Sequence, residues 1–266
     1  MTVYRCEDSL EGIFTAIYLA YEEKRDHGDT YLSLNDDPML FAEDVRVMPD
    51  WEKTRKVMKT LNSRFGEKDY ISLCMALASE DEEKAQAVYR TVADGLKRKV
   101  NAGHLFDNLA DDNINKAFAL ARNTGREIDH LKGFARFQEL ENGVLYSKIG
   151  PKNNILTFLM PHFADRLPIE NFVMYDDRRN LFGIHPAGRQ WVLLCGEGRE
   201  ASGVKGSEGE FSEDKFPKLK FSEEELQYQE LFRDFCRAIT IQGRRNEKLQ
   251  RNMLPLRFRE YMVEFR

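Results

Sequence analysis

Residues 126–191 read REIDHLKGFARFQELENGVLYSKIGPKNNILTFLMPHFADRLPIENFVMYDDRRNLFGIHPAGRQW, and the punctuation of this stretch decides the fold. Gly133 closes a run of helical periodicity. Beyond it, short alternating segments are parted by turn signals. Glu141-Asn142-Gly143 offers the positive φ that a tight hairpin needs. Gly150-Pro151 stops one strand and Asp176-Asp177-Arg178-Arg179 ends another. The pattern predicts strands over 134–140, 144–149, 172–176, 181–185 and 191–195. One helix over 155–166, capped by Asn153 or Asn154, separates the second strand from the third. The expected class is α+β, with an antiparallel or mixed sheet (about 134–195) packed against helices.

Upstream, apolar residues at helical spacing predict a helix over 112–131 and three consecutive helices over 51–99, broken at Gly66 and near Glu80. The segment 26–50 is turn-rich and reads as a surface loop. At the N-terminus a strand over 2–7 runs into a helix capped at Asp8 or Ser9. Downstream, Gly, Ser, Glu and Lys dominate 197–220, which reads as a flexible loop. Ser222 then caps a last long helix with Leu226, Phe232, Phe235 and Ile239 expected toward the core. The whole, 1–266, is expected to be a single α+β unit. Its parts are helices at about 51–131, a sheet core at about 132–196, the loop, and a basic helical segment at about 221–266.

The 266 residues are 42% hydrophobic and 32% charged, which suits a soluble globular chain and excludes wholesale disorder. A net charge of −5 excludes a chain that is basic all over. The four cysteines, Cys6, Cys74, Cys195 and Cys236, are far apart, with neither a CxxC pair nor a CxxxCxxC loop. Reduced thiols and a cytoplasmic setting are therefore expected. There is no long apolar run and no charged-then-apolar leader, so neither membrane insertion nor secretion is expected. P-loop, GxGxxG, HExxH, nucleophile-elbow and zinc-deaminase patterns are all missing, and no cofactor or metal is expected.

Four groups of residues could carry chemistry. Asn123, Arg126, Glu127 and His130 share one helical stripe, which is either a solvated face with an Arg–Glu pair or a row lining a cleft. His162 and Arg166 extend an apolar row toward a helix C-terminus, where cations are favoured. Arg166 is expected to pair with Asp176. Asp176 and Asp177 beside Arg178 and Arg179 read as a charged hairpin tip. If one of the two carboxylates instead faces His130 or His162, an acid/base pair or a metal site becomes conceivable. In the tail, Arg244, Arg245, Lys248 and Arg251, with Gln250, are suited to phosphates and base edges, or they pair with acids of the fold. Arg136 joins Arg126, Arg166 and Arg179 as a structural or cleft arginine.

Four segments, AIYLAYEEK, GREIDHLKGFARFQELENGVLYSKIGP, PHFADRLPIENFVMYDDRRNL and RRNEKLQRNMLPLRFREYMVEF, occur in this order along the chain. Together the chain resembles a bacterial family described as DNA metabolism proteins. Its members look like companions of a radical SAM protein for DNA modification or repair encoded nearby, and a related domain is fused to a uracil-DNA glycosylase-like domain. The resemblance implies a DNA repair or modification setting, with DNA and that radical SAM protein as partners. It brings no established catalytic residues. Where many relatives read His-Asp, this chain has Tyr175-Asp176. Two functions follow as expectations. One is a nucleic-acid-binding accessory protein that works with the radical SAM partner. The other is an enzyme acting on DNA or a nucleotide through His130, His162, Asp176 and nearby arginines.

Overall fold

The computed structural model describes residues 1–196, 220–244 and 246–265. Sequence patterning leads one to expect a single unit, but the chain gathers into two compact units, 1–126 and 127–266.

In the first unit, β1 (Thr2–Arg5) lies between β2 (Thr30–Ser33) and β3 (Glu43–Arg46), parallel to both. Helix α1 (Leu10–Glu22) follows β1, and the Ser9 hydroxyl accepts the Gly12 N–H as its cap. Asp50 caps α2 (Trp51–Leu77), accepting from the N–H groups of Glu52 and Lys53. Gly66 interrupts α2 at φ 80°, ψ 165°, a conformation that only glycine adopts readily, so the expected break is there. Next come α3 (Lys84–Arg98) and α4 (Asp112–Phe134). Phe14, Leu61, Phe65, Leu73, Tyr89 and Leu105 are buried in the shared core.

The segment 26–50 is not the surface loop expected, because it supplies β2 and β3. Each is only four residues long, and β3 (sequence EDVR) has no apolar alternation to announce it. Pairing with β1 and a 2.9 Å Arg5–Asp44 ion pair hold it in place.

In the second unit, β4 (Gln138–Glu139), β5 (Leu145–Ile149), β6 (Phe172–Asp176), β7 (Leu181–His185) and β8 (Val192–Cys195) form one sheet in that order. The β5–β6 pairing is parallel and the rest antiparallel, so the sheet is mixed. Helix α5 (Leu156–Arg166) makes the crossover that the parallel pair requires. The Asn142-Gly143 turn closes as expected, with Gly143 at φ 76° donating to Leu140 O at 2.8 Å. The strand before it is shorter than expected, since α4 continues through Phe134.

Tyr146, Tyr175 and Phe182 pack on one face of this sheet, with Tyr175 and Phe182 stacked at 4.5 Å. On the alternate positions, Phe137 meets Phe163 of α5 and Phe172 of β6 edge-on. Gly183 is required at the α5 crossing, because a Cβ there would lie 2.3 Å from the Met160 sulfur.

The C-terminal segment is not one helix. It comprises α6 (Glu223–Ala238), a 3-10 turn at Gln242–Arg244, α7 (Glu247–Met253) and α8 (Leu256–Arg259). Phe258, Met262 and Val263 are buried at its end. The stripe expected to face the core, Leu226, Phe232, Phe235 and Ile239, is exposed instead, and no residue of α6 is buried. The expected loop 197–220 lies, save its last residue, outside the described residues. Among the described residues, none of Cys6, Cys74, Cys195 and Cys236 forms a disulfide. Among the described residues, no helix is long and apolar enough to cross a membrane.

Candidate functional site

A polar cluster of the second unit sits where the parallel strands β5 and β6 end, the edge at which open α/β sheets usually place ligands. Chain direction puts Gly150-Pro151-Lys152-Asn153 there, between β5 and α5. Glu127 of α4, only 2% exposed, grips this segment from its donor side. Its Oε1 accepts the Lys152 N–H at 3.0 Å, and its Oε2 accepts the Asn153 N–H at 3.0 Å and the Asn153 side-chain amide at 2.7 Å. Arg179 grips the acceptor side, donating to Pro151 O at 3.0 Å and to Lys152 O. Neither Asn153 nor Asn154 caps α5: the helix starts at Leu156, so Ile155 takes the cap position with no side-chain bond.

Two ion pairs complete the cluster. Arg257 lies 3.2 Å from Glu127, and Arg179 lies 3.2 Å from Asp176. Asp176 is fully buried and also accepts the N–H groups of Arg178 and Arg179. Burial pushes its carboxyl above the usual value, against the opposing pull of Arg179 and the two backbone donors. The neighbouring Asp177 points elsewhere, to Lys148 at 2.8 Å and the Tyr261 hydroxyl at 3.5 Å. Burial raises the Tyr261 phenol, with the Glu260 and Asp177 carboxylates adding to the effect. Gly150 has no room for a side chain, since a Cβ would stand 2.1 Å from the Tyr261 oxygen.

The expected catalytic candidates are not gathered here. His130 is half-buried against Phe134 (stacked, 5.6 Å) and Phe258 (edge-on, 5.9 Å). His162 sets its edge on Phe163 at 5.0 Å. The carboxylate bonds of Asp176 go to Arg179 and to backbone. Arg166 is exposed on the far turn of α5, so the expected Arg166–Asp176 pair gives way to Arg179–Asp176. Arg126 is exposed, whereas Arg136 is held bidentately by Glu264, at 2.7 and 3.3 Å. Glu127 is buried and pairs with Arg257, so the expected Arg–Glu pair on a solvated helical face does not form. Local spacing gives no sign of the Glu127–Arg257 and Glu127–Asn153 partnerships, because they join positions distant in sequence.

The basic residues expected to bind nucleic acid lie on the surface. Arg244, Lys248, Gln250 and Arg251 are exposed, and Arg245 lies outside the described residues. Asn246 caps α7 by accepting the Leu249 N–H at 3.0 Å. Arg251 stands 3.7 Å from Glu247, a long ion pair. Among the described residues, neither Arg244 nor Lys248 has an ion-pair partner.

In the first unit, a cavity of about 800 Å³ is lined by His27, Arg90, Asp94, Lys97, Asp112 and Lys116, among others. Two of its cations are already engaged. Arg90 donates to the carbonyls of His27 and Gly28, and Lys116 lies 2.9 Å from both Asp81 and Glu83. None of the residues singled out in the sequence lines it. Among the described residues, no three His, Cys, Asp or Glu side chains are grouped to hold a metal.

A family model described as a domain of unknown function, DUF4130, matches residues 82–264, and the chain belongs to that family. No curated protein and no solved structure matches the chain.

Proposed function

We propose that this DUF4130 protein is a nucleic-acid-binding accessory protein of DNA metabolism that works alongside a radical SAM enzyme. The observation that carries the reading is the basic segment 244–251. In a chain of net charge −5, it presents Arg244, Lys248 and Arg251 to solvent, and among the described residues only Arg251 of the three has an ion pair, a 3.7 Å one with Glu247. Exposed Arg and Lys contribute affinity for phosphates by releasing counterions, without reading sequence. Gln250 beside them can bond to sugar, phosphate or base edges. The acidic balance elsewhere steers a polyanion toward this segment. A further consideration favours binding over catalysis. The buried carboxylates Glu127 and Asp176 are engaged by protein donors, and His130 and His162 rest against aromatic rings. The DNA setting and the radical SAM partner rest on the resemblance of the four sequence segments to DNA metabolism proteins.

The test is fluorescence anisotropy with single- and double-stranded DNA over a series of salt concentrations. It compares the wild type with the combined Arg244→Ala, Lys248→Ala and Arg251→Ala variant. The slope of log affinity against log salt should flatten by about one unit for each phosphate that is no longer neutralised. Equal affinity and slope in two folded proteins would remove the basic segment from nucleic-acid binding.

A further inference from the structure

We infer that α6 and the turn after it form a self-association surface that pairs two copies of this chain about a two-fold axis. The inference rests on the apolar stripe of α6 and not on nucleic-acid binding, although the two surfaces share Arg244 in the turn after that helix.

A surface helix normally turns its apolar stripe to the core and its polar side to water. Helix α6 does the reverse. Tyr228, Leu231, Phe232, Phe235 and Ile239 recur at spacings of three and four, so they share one stripe. Tyr228 is 67% exposed, Leu231 65% and Phe235 55%. The half-buried positions of the helix are instead mostly polar, Glu225, Gln229 and Arg233 with the one small apolar residue Cys236. Polar bonds also hold the helix to the sheet edge: Glu225 accepts the Glu139 N–H at 3.2 Å, and Ser222 N donates to Glu139 O at 3.1 Å. An isolated helix of this length is marginal in water, and most helical stability comes from covering an apolar face. On the next helix Leu249 and Met253, four residues apart, are exposed as well, at 57% and 68%.

The size and charge of the stripe identify its occupant. The large apolar side chains of α6 leave on the order of 700 Å² uncovered, close to the roughly 800 Å² each partner gives a stable interface. A patch this large marks an interaction site. The stripe begins beside Glu223 and Glu224 and ends where the chain turns basic at Arg244. In a second, antiparallel copy the acidic end of each helix meets the basic end of the other. The match occurs twice by symmetry, with the helix dipoles opposed. Nucleic acid fits this stripe poorly, because Glu223 and Glu224 stand in its first turn. On α7, Lys248 and Arg251 project away from Leu249 and Met253 by helical spacing, so pairing through the apolar side leaves them to solvent.

The test is sedimentation velocity on the full chain over a concentration series. The wild type should sediment as a dimer that dissociates on dilution. Phe235→Glu and, separately, Leu231→Glu should weaken the dimer roughly 30-fold or more while melting as the wild type does, since both side chains are exposed. Phe235→Leu should retain it. Glu224→Arg and Arg244→Glu should each weaken association, and the two together should restore it. A wild type that is monomeric at every concentration would overturn the inference. So would assembly beyond a dimer, or a dimer that neither glutamate substitution disturbs in a folded protein.

Discussion

A carboxylate with almost no solvent contact survives in a fold only when donors replace its water. Glu127 finds two backbone N–H groups, an amide and a guanidinium. Asp176 finds two backbone N–H groups and Arg179. For Asp176 the donors fall short of the desolvation, so its carboxyl is raised from 3.8. The folded state then holds its proton to higher pH than the unfolded chain does. Stability contributed by this group therefore falls as pH rises from about 3.8 through the folded value. Asp176→Asn keeps an acceptor for the backbone donors and removes the titration. Thermal melts of both proteins from about pH 3 to about pH 7 should show the variant gaining on the wild type as pH rises. A wild type that gains on the variant over that range would mean that Arg179 outweighs burial. The charged run 176–179 is legible in the sequence as a strand end. Which of its two acids is buried is not, because that depends on the register of β6 against β5 and on where Arg179 reaches.

The strands β5 to β8 and helix α5 are legible almost to the residue, since alternation and Gly, Pro or Asn-Gly punctuation coincide there. Strands β2 and β3 are not, because a four-residue strand held by backbone pairing needs no apolar pattern of its own. The periodicity of α6 announces an amphipathic helix correctly and misleads about the side it turns to the core. Periodicity reports that an apolar face exists, not what covers it. The interruption of α2 is legible from Gly66 alone. At φ 80° and ψ 165° a side chain is strained, and the Ala102 methyl would lie 3.2 Å from a new Cβ. Gly66→Ala should therefore cost about 1–3 kcal/mol, read from chemical denaturation. An unchanged midpoint would show that the chain rebuilds this turn as continuous helix at no cost in stability.

Across the chain, charge is distributed unevenly, and the basic residues of the C-terminal segment divide into two populations. Arg257 is committed to the buried Glu127 and anchors the chain end, whereas Arg244, Lys248 and Arg251 remain at the surface. Composition reveals the basic segment but not this division, which depends on a carboxylate far away in sequence. Nucleic-acid binding through residues 244–251 is tested most directly by photo-cross-linking the full chain to DNA and mapping the attached peptides by mass spectrometry. Cross-links should concentrate on residues 244–251 and fade as salt rises, in keeping with phosphate contacts. Cross-links confined to other parts of the chain, or none at salt low enough for binding, would contradict it.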